Sequence, residues 1–138
     1  MSLAPLRTQI LAVVANSQKF YWIEPGFVTI DPLNFASAES EPDKIVGAIG
    51  LEDTVWFVGH SSTEVWYATG QVDPAFAPIQ GRVYSRGVTS GTQVRVGDSV
   101  ILVGEDGIVY KIGSSVERMS THGIAERIRI QLRREAGL

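Results

Sequence analysis

VWFVG, at residues 55–59, is the middle one of three short apolar runs that begin 45 residues apart; the others are ILAVV (10–14) and VILVG (100–104). Each run is followed by a polar turn and then by a second apolar run that ends at or near glycine: FYWIEPG (20–26), EVWYATG (64–70) and IVYKIG (108–113). Two apolar runs joined by a short polar turn are typical of a β-hairpin. The sequence therefore predicts three hairpins of similar sequence.

Further β-like pieces lie between the hairpins: FVTI (27–30), IVGAI (45–49), RVYS (82–85) and QVRV (93–96). Each interval can then hold about four strands, and a four-stranded unit of about 40–45 residues is the size of one propeller blade. An ordinary β-sandwich is the alternative, because any all-β chain has apolar runs with turns every ~8–12 residues. The constant spacing and the shared glycines favour the blades.

We therefore predict an all-β, mainly antiparallel fold, a partial propeller-like array of about three blade units with a short C-terminal helix. The units are expected at about residues 10–54, 55–99 and 100–138, within a single domain that spans 1–138. Propellers close with about four or more blades, so three units leave part of a sheet uncovered. We expect the chain to be a fragment of a larger propeller body, or a domain whose open side another copy covers.

The C-terminal segment has two interpretations. As a helix over 124–136, it places Ile124, Ile128 and Leu132 on one face, with Ser120 or Thr121 as the N-cap and Gly137 as the stop. As a strand, RIRIQLR (127–133) alternates polar and apolar residues throughout. The good helix formers of this segment favour the helix.

Composition limits the function classes. The 138 residues are 44% apolar and 20% charged, which is typical of a folded domain. Cysteine is absent, which excludes disulfides, thiolate nucleophiles and cysteine-based metal sites. The apolar run at 10–15 is much shorter than the ~18 residues of a membrane span, so we expect no membrane or export segment.

Charge is unevenly distributed along the chain. Residues 1–110 carry six basic and twelve acidic side chains, whereas residues 111–138 carry six basic and three acidic ones. The acidic excess of the body disfavours a strongly cationic nucleic-acid binder. The basic end is either a docking or nucleic-acid arm or, as most charged helices are, a solvated face.

The polar residues give little sign of catalysis. His60 lies in a predicted turn beside Ser61 and Ser62, where a surface role is expected, because adjacency in sequence does not make a catalytic triad. The carboxylates at 39, 41, 43, 52 and 53 show neither cation-loop spacing nor a glycosidase pair and are expected to be solvated loop acids. No enzyme activity, cofactor or metal is predicted.

Two aromatic pairs stand on paired strands, Trp56 with Phe57 and Trp66 with Tyr67. One member of each pair could face outward and serve a protein or glycan interface. Packing of both faces between neighbouring blades needs no ligand and is the favoured interpretation.

Five strings occur together in the order and at about the intervals of a known family: FASAESEPDKIVG (35–47), EVWYATG (64–70), PAFAPIQG (74–81), IVYK (108–111) and RMSTHGIAE (118–126). The chain resembles the packaged-DNA stabilisation proteins of short-tailed bacteriophages, also called head-to-tail connectors or tail accessory factors. The resemblance covers roughly residues 10–128 and is compatible with a fragment or a divergent prophage homologue.

The resemblance implies a virion structural protein with a β-propeller body. It further implies a homo-oligomeric ring below the portal and adaptor that helps close the DNA exit channel, retains packaged DNA and joins tail proteins. The implied location is the head-to-tail junction of the virion, after a stage in the host cytoplasm before assembly. The protein is expected to lie near DNA without specific contacts and to have no membrane partner. The motif positions, structural or interfacial, are Glu64, Val65, Trp66, Tyr67, Gly70, Phe76, Tyr110, Ser120, Thr121 and His122.

Two other functions stay open at this point. A propeller-type binding module for a small ligand or glycan would show outward aromatics with convergent polar groups in a pocket. A hydrolase on the same scaffold would show two opposed carboxylates across a cleft.

Overall fold

A computed structural model gives the fold of the chain. It describes residues 2–6, 9–14, 16–24, 26, 29–39, 43–51, 53–71, 74–88, 92–113, 115–135 and 137. Within these ranges the chain forms twelve strands and one helix. All strand pairs are antiparallel, so the predicted fold class is confirmed.

The strands group into three sheets of four, each a meander in which consecutive strands pair. The first sheet contains β1 (Ser2–Leu6), β2 (Gln9–Val13), β3 (Lys19–Ile23) and β4 (Phe35–Ser37). The second contains β5 (Ile45–Leu51), β6 (Thr54–Gly59), β7 (Thr63–Ala68) and β8 (Phe76–Tyr84). The third contains β9 (Val94–Val96), β10 (Ser99–Val103), β11 (Val109–Ile112) and β12 (Val116–Arg118).

The three predicted hairpins form the centre of each sheet, as β2–β3, β6–β7 and β10–β11. Each sheet also takes the strand before its hairpin, so the sheets begin some residues earlier than the sequence intervals. The predicted strand at 27–30 is not formed in its described part, since Thr29 and Ile30 lie outside any strand and the other two residues lie outside the described ranges. The turn between β10 and β11 contains Asp106 and Gly107, and Gly107 adopts φ +77°.

The second sheet is covered by the first sheet on one face and by the third sheet on the other. Consecutive side chains of its strand β6 point to opposite faces and so enter different cores. Val55 and Phe57 pack with residues of the first sheet, and Trp56 and Val58 pack with residues of the third. We call the side of a sheet that faces the next sheet in the chain its front face, and the opposite side its back face. A two-sheet sandwich has no such middle layer, so the blade array is the correct interpretation.

The first strands of the sheets approach one another closely, and glycine in β5 permits this. A Cβ atom on Gly50 would overlap the carbonyl oxygen of Pro5 in β1. A Cβ atom on Gly47 would overlap the side-chain amide of Gln93, next to β9. The sheets therefore converge along β1, β5 and β9, as the innermost strands of propeller blades do.

The C-terminal segment is a helix, α1 (His122–Glu135). The Thr121 hydroxyl accepts a hydrogen bond from the N–H of Ile124 at 3.4 Å, and Gly137 follows the helix at φ +76°. The predicted apolar face is only partly correct, because Ile124 is 52% exposed. The helix packs on a narrow turn rather than on a sheet: Ala125 is buried, and the Arg129 guanidinium donates to the carbonyl oxygen of Asp106.

Candidate functional site

The motif EVWYATG supplies both cores of the array from β7. Glu64 and Trp66 point to the back face, towards the first sheet, whereas Val65 lies in the core shared with the third sheet. Tyr67 shares the front face with Val65 but is 41% exposed. Alternation along one strand therefore divides the motif between two inter-sheet interfaces.

Glu64 and Trp66 form a buried polar contact in the first core. The Trp66 indole N–H donates to the Glu64 carboxylate at 2.6 Å, which satisfies a donor that would be costly to bury alone. The Trp66 ring packs edge-on against Phe20, with the ring centroids 5.3 Å apart, and against Phe57 at 6.1 Å. This contact fixes the orientation of the largest side chain between the first two sheets.

Phe76 and Gly70 complete this end of the motif. Phe76 is buried, and its ring lies 5.4 Å from that of Trp22 and 6.2 Å from that of Phe20. Gly70 adopts φ +77° after β7, where the N–H of Thr69 donates to the carbonyl oxygen of Ala75. The turn brings Phe76 back over the same core.

Tyr110 holds the turn of the third sheet. Its hydroxyl donates to the Asp106 carboxylate at 2.6 Å, and the Arg86 guanidinium lies 5.2 Å from its ring centroid. Burial, the hydrogen bond and the negative charge of Asp106 raise the pKa of Tyr110, and Arg86 opposes them only in part. Tyr110 therefore links the Asp106-Gly107 turn to the second sheet.

Ser120, Thr121 and His122 form the junction between the third sheet and the helix. The buried Ser120 hydroxyl accepts a hydrogen bond from the N–H of Val109 at 3.0 Å, and Thr121 caps α1. The backbone of His122 begins the helix, but its side chain lies outside the described residues. The described motif side chains thus lie in packing and capping positions, and Tyr67 and Thr121 are the exposed ones among them.

A glycan interface needs outward aromatic rings, and three of the four aromatic residues considered for it are buried: Trp56, Phe57 and Trp66. Trp56 borders a cleft of about 400 Å³, but its ring is stacked on Tyr84 at 6.1 Å and lies under Arg82 at 5.0 Å. A covered ring cannot stack on a sugar. The packing interpretation of these aromatics is therefore the correct one.

Asp43 is not a solvated loop acid, contrary to the prediction. Its carboxylate accepts hydrogen bonds from the N–H groups of Ser61 and Ser62 and from the Ser62 hydroxyl, at 2.9, 3.0 and 3.1 Å. Burial raises the pKa of Asp43, but these bonds and one from the N–H of Lys44 outweigh it, so the net pKa is lowered. The carboxylate ties the segment before β5 to the β6–β7 turn. This long-range role left no signal in the sequence.

His60, which precedes Ser61 and Ser62, is a surface residue as expected. Its ring nitrogen lies 2.9 Å from the Glu105 carboxylate, and both side chains are mostly exposed. Within the described segments, the sequence neighbours Ser61 and Ser62 direct their N–H groups to Asp43, and the imidazole has the Glu105 carboxylate as its hydrogen-bond partner. No group of three potential metal ligands occurs among the described residues.

Exposed apolar side chains cluster on two sheet faces at the ends of the array. The back face of the first sheet exposes Leu3, Ile10 and Phe35, and the third sheet exposes Val94 and Val96. The sequence predicted that part of a sheet would stay uncovered, but it did not indicate which residues lie there. In the described part of the chain, no helix is long and apolar enough to cross a membrane.

Comparison with known protein families matches residues 8–131 to a phage stabilisation family described as bacteriophage P22 Gp10, beta-propeller. The chain belongs to this family. The match spans β2 to most of α1 and confirms the resemblance drawn from the five sequence strings. It also accounts for the three stacked four-stranded sheets, since the Gp10 family is a propeller family. A search of curated proteins found no match.

Membership of the Gp10 family makes this chain a phage DNA-stabilisation protein of structural type. The family gives no role to individual residues of this chain. The motif side chains described above therefore take their roles from their contacts alone.

Proposed function

We propose that this protein is a non-catalytic component of the head-to-tail junction of a phage particle, where it helps close the DNA exit channel and retain packaged DNA. It acts as part of a homo-oligomeric ring that contacts the portal or adaptor on one side and tail proteins on the other. Its location is the virion junction after a stage in the host cytoplasm.

The observation that carries this proposal is the burial of the middle sheet on both faces. A plug that resists internal pressure needs a stiff body, and a sheet packed between two others at the density of a protein interior is stiff. Phe57 and Trp56 lie side by side on β6 and anchor the two opposite cores, so deformation of either interface disturbs the same strand. This mechanical role requires no chemistry.

The acidic body supports a second part of the proposal. Residues 1–110 have a net charge of −6 by count, and several of these acids are exposed, among them Asp31, Asp53 and Asp98. An acidic channel wall repels the DNA phosphates, so the genome slides past it during ejection instead of binding. A structure of the assembled junction with these acids on the outer surface would contradict this part.

Packaged particles that lack the protein provide the functional test. We expect such particles to lose their DNA to added nuclease, and purified protein added to them to restore protection. Protein carrying Trp66→Ala serves as a variant with a weakened body and should restore less protection than protein carrying Tyr67→Phe. Full protection in the absence of the protein would contradict the proposal.

A further inference from the structure

A groove opens on the outer rim of the array, between the second and third sheets. It has a volume of about 610 Å³, which lies within the usual size range of ligand pockets. It runs beside β8 and β12, which are the outermost strands of their sheets because the sheets converge along β5 and β9 on the other side. The apolar and aromatic side chains that line it are Val83, Tyr84, Ile108, Tyr110 and Val116.

The charged side chains of the groove are cationic. Among its described lining residues, the charged ones are Arg86 and Arg118, and both are exposed. The Arg86 guanidinium lies 5.2 Å from the Tyr110 ring centroid, and the Arg118 Nε–H donates to the carbonyl oxygen of Ser120 at 3.0 Å. The groove thus combines an apolar floor with two positioned positive charges. Its complement is a surface that carries an apolar side chain beside carboxylates.

The walls of the groove are fixed within one copy. The Tyr84 hydroxyl and the Arg82 guanidinium both donate to the carbonyl oxygen of Gly113, at 3.0 and 3.1 Å, and so tie β8 to the third sheet. The Tyr110 hydroxyl donates to the Asp106 carboxylate at 2.6 Å. A groove that is already ordered loses little conformational entropy when it is filled.

The loop between β3 and β4 carries the complementary side chains. The Asp31 carboxylate accepts a hydrogen bond from the N–H of Leu33 at 2.9 Å, and the Asp31 carbonyl oxygen accepts one from the N–H of Asn34 at 3.0 Å. These two bonds form a tight turn. Leu33 projects from it and is 83% exposed, more than any other large apolar side chain in the described part of the chain.

The surface beside this turn is acidic. Glu24 and Asp31 line one concave surface, and they are the charged ones among its described lining residues. The Glu24 carboxylate is held by the Trp22 indole N–H, which donates to it at 3.1 Å. Two positioned carboxylates beside an exposed leucine therefore match two positioned guanidinium groups beside an apolar floor.

We propose that the β3–β4 loop of one copy of this chain docks in the groove of a second copy. Leu33 enters the apolar floor, and the two carboxylates face the two guanidinium groups. The contact is heterologous, since each copy offers its loop to one neighbour and its groove to another, and such a contact generates a ring when the rotation between neighbours closes. This inference names a contact between copies and so rests on the ring that the proposed function includes.

Sedimentation velocity of the 138-residue chain over a range of concentrations tests the self-association. We expect an assembly whose mass is a multiple of the 15.0 kDa chain mass and which dissociates on dilution. A monomer at all concentrations would overturn the proposal and leave the groove to an acidic segment of another protein.

Two single substitutions test the two surfaces. Leu33→Lys removes the apolar side chain of the loop and adds a cation that the groove repels, and Arg86→Glu reverses a charge of the groove. Each should weaken association by about 10-fold or more. The matched controls are Ile130→Lys and Arg127→Glu, at exposed positions of α1 outside the loop and the groove, and both should associate like the unchanged chain.

A mixture of the two variants tests whether the contact joins unlike surfaces. The Leu33→Lys chain keeps its groove and the Arg86→Glu chain keeps its loop. At a concentration where neither associates alone, we expect the mixture to form a one-to-one complex that grows no further. A mixture that stays monomeric, or controls that disrupt association equally, would overturn the proposal. Near-ultraviolet circular dichroism reports whether each variant is folded, and Leu33→Ser with Arg86→Gln repeats the pattern with a milder change.

The nuclease-protection test on packaged particles separates this contact from the junction role. If the unchanged protein protects DNA while both variants associate as it does, the docking contact is wrong and the junction role stands. If the variants lose association as expected while the unchanged protein gives no protection, the docking contact stands and the junction role is wrong.

Discussion

The Trp66 indole N–H donates a 2.6 Å hydrogen bond to the Glu64 carboxylate, two residues away on the same face of β7, at the centre of the interface between the first two sheets. The bond places an ionisable side chain inside an aromatic cluster and gives the indole its polar partner. Packing and hydrogen bonding at this site therefore depend on each other.

Trp66→Ala should destabilise the protein by about 3–5 kcal/mol, because it leaves a large cavity between two sheets and removes the donor to Glu64. Chemical denaturation measures the free energy of unfolding. Tyr67→Ala, at the exposed neighbouring position, is the control and should cost about 1 kcal/mol or less. Equal effects of the two substitutions would mean that Trp66 does not bridge the sheets.

Gly50→Ala tests the convergence of the first strands. The added methyl group meets the backbone carbonyl of Pro5, which cannot rotate away, so we expect a loss of roughly 1–3 kcal/mol from overpacking. Gly123→Ala is the matched control, since a Cβ atom there meets nothing within 4 Å and a helical alanine should add about 0.5–1 kcal/mol. Thermal unfolding of both variants decides the point, and a neutral Gly50→Ala would contradict the close approach of β1 and β5.

Asp43→Asn should weaken the protein in a pH-dependent way. The folded-state pKa of Asp43 lies below its ordinary value of 3.8, so its stabilising contribution is present above that pH and is lost as the pH falls through the lower, folded-state pKa. At neutral pH we expect a loss of about 1 kcal/mol, because the amide retains an acceptor but loses the charge. The difference from the unchanged chain should vanish in acid, whereas the exposed control Glu39→Gln should differ little at any pH. A pH-independent difference would contradict the assigned hydrogen bonds.

Tyr110→Phe removes the hydroxyl that binds Asp106 and should cost about 0.5–1.5 kcal/mol below pH 10. The folded-state pKa of Tyr110 lies above its ordinary value of 10.0, so this contribution is complete below that value and disappears as the pH rises through the folded-state pKa. Urea denaturation at neutral and alkaline pH measures the difference, with Tyr67→Phe as the control. If the loss of stability persists unchanged in alkali, the hydrogen bond from the Tyr110 hydroxyl to Asp106 is not its source.

The parts of the fold that were predictable from the sequence are those governed by local periodicity. The runs at 10–14, 55–59 and 100–104 repeat at a fixed interval because each supplies the second strand of a sheet, and the alternation of Trp56 and Phe57 follows from the period of a strand. The helix was predictable from residue preferences and from its cap at Thr121.

The remaining features depend on contacts between distant residues. Asp43 binds a turn about 18 residues away in the sequence. Gly50, in the second sheet, approaches Pro5 in the neighbouring first sheet, so neither role leaves a local pattern. Ile124 was expected on a covered helix face, but α1 contacts the Asp106-Gly107 turn through Ala125 and Arg129, and Ile124 is exposed. The candidate site shows the same division: the motif at 64–70 was recognisable and packing of both its faces was the favoured prediction, whereas the core that each side chain enters depends on how the sheets stack.

Electron cryomicroscopy of the portal–adaptor complex from the same phage, with the purified protein added, tests whether the protein occupies the head-to-tail junction. We expect a closed ring of copies bound at the end of the adaptor, with stacked four-stranded sheets in its wall and a constricted central channel. A portal–adaptor complex that shows no added density at saturating protein would contradict it.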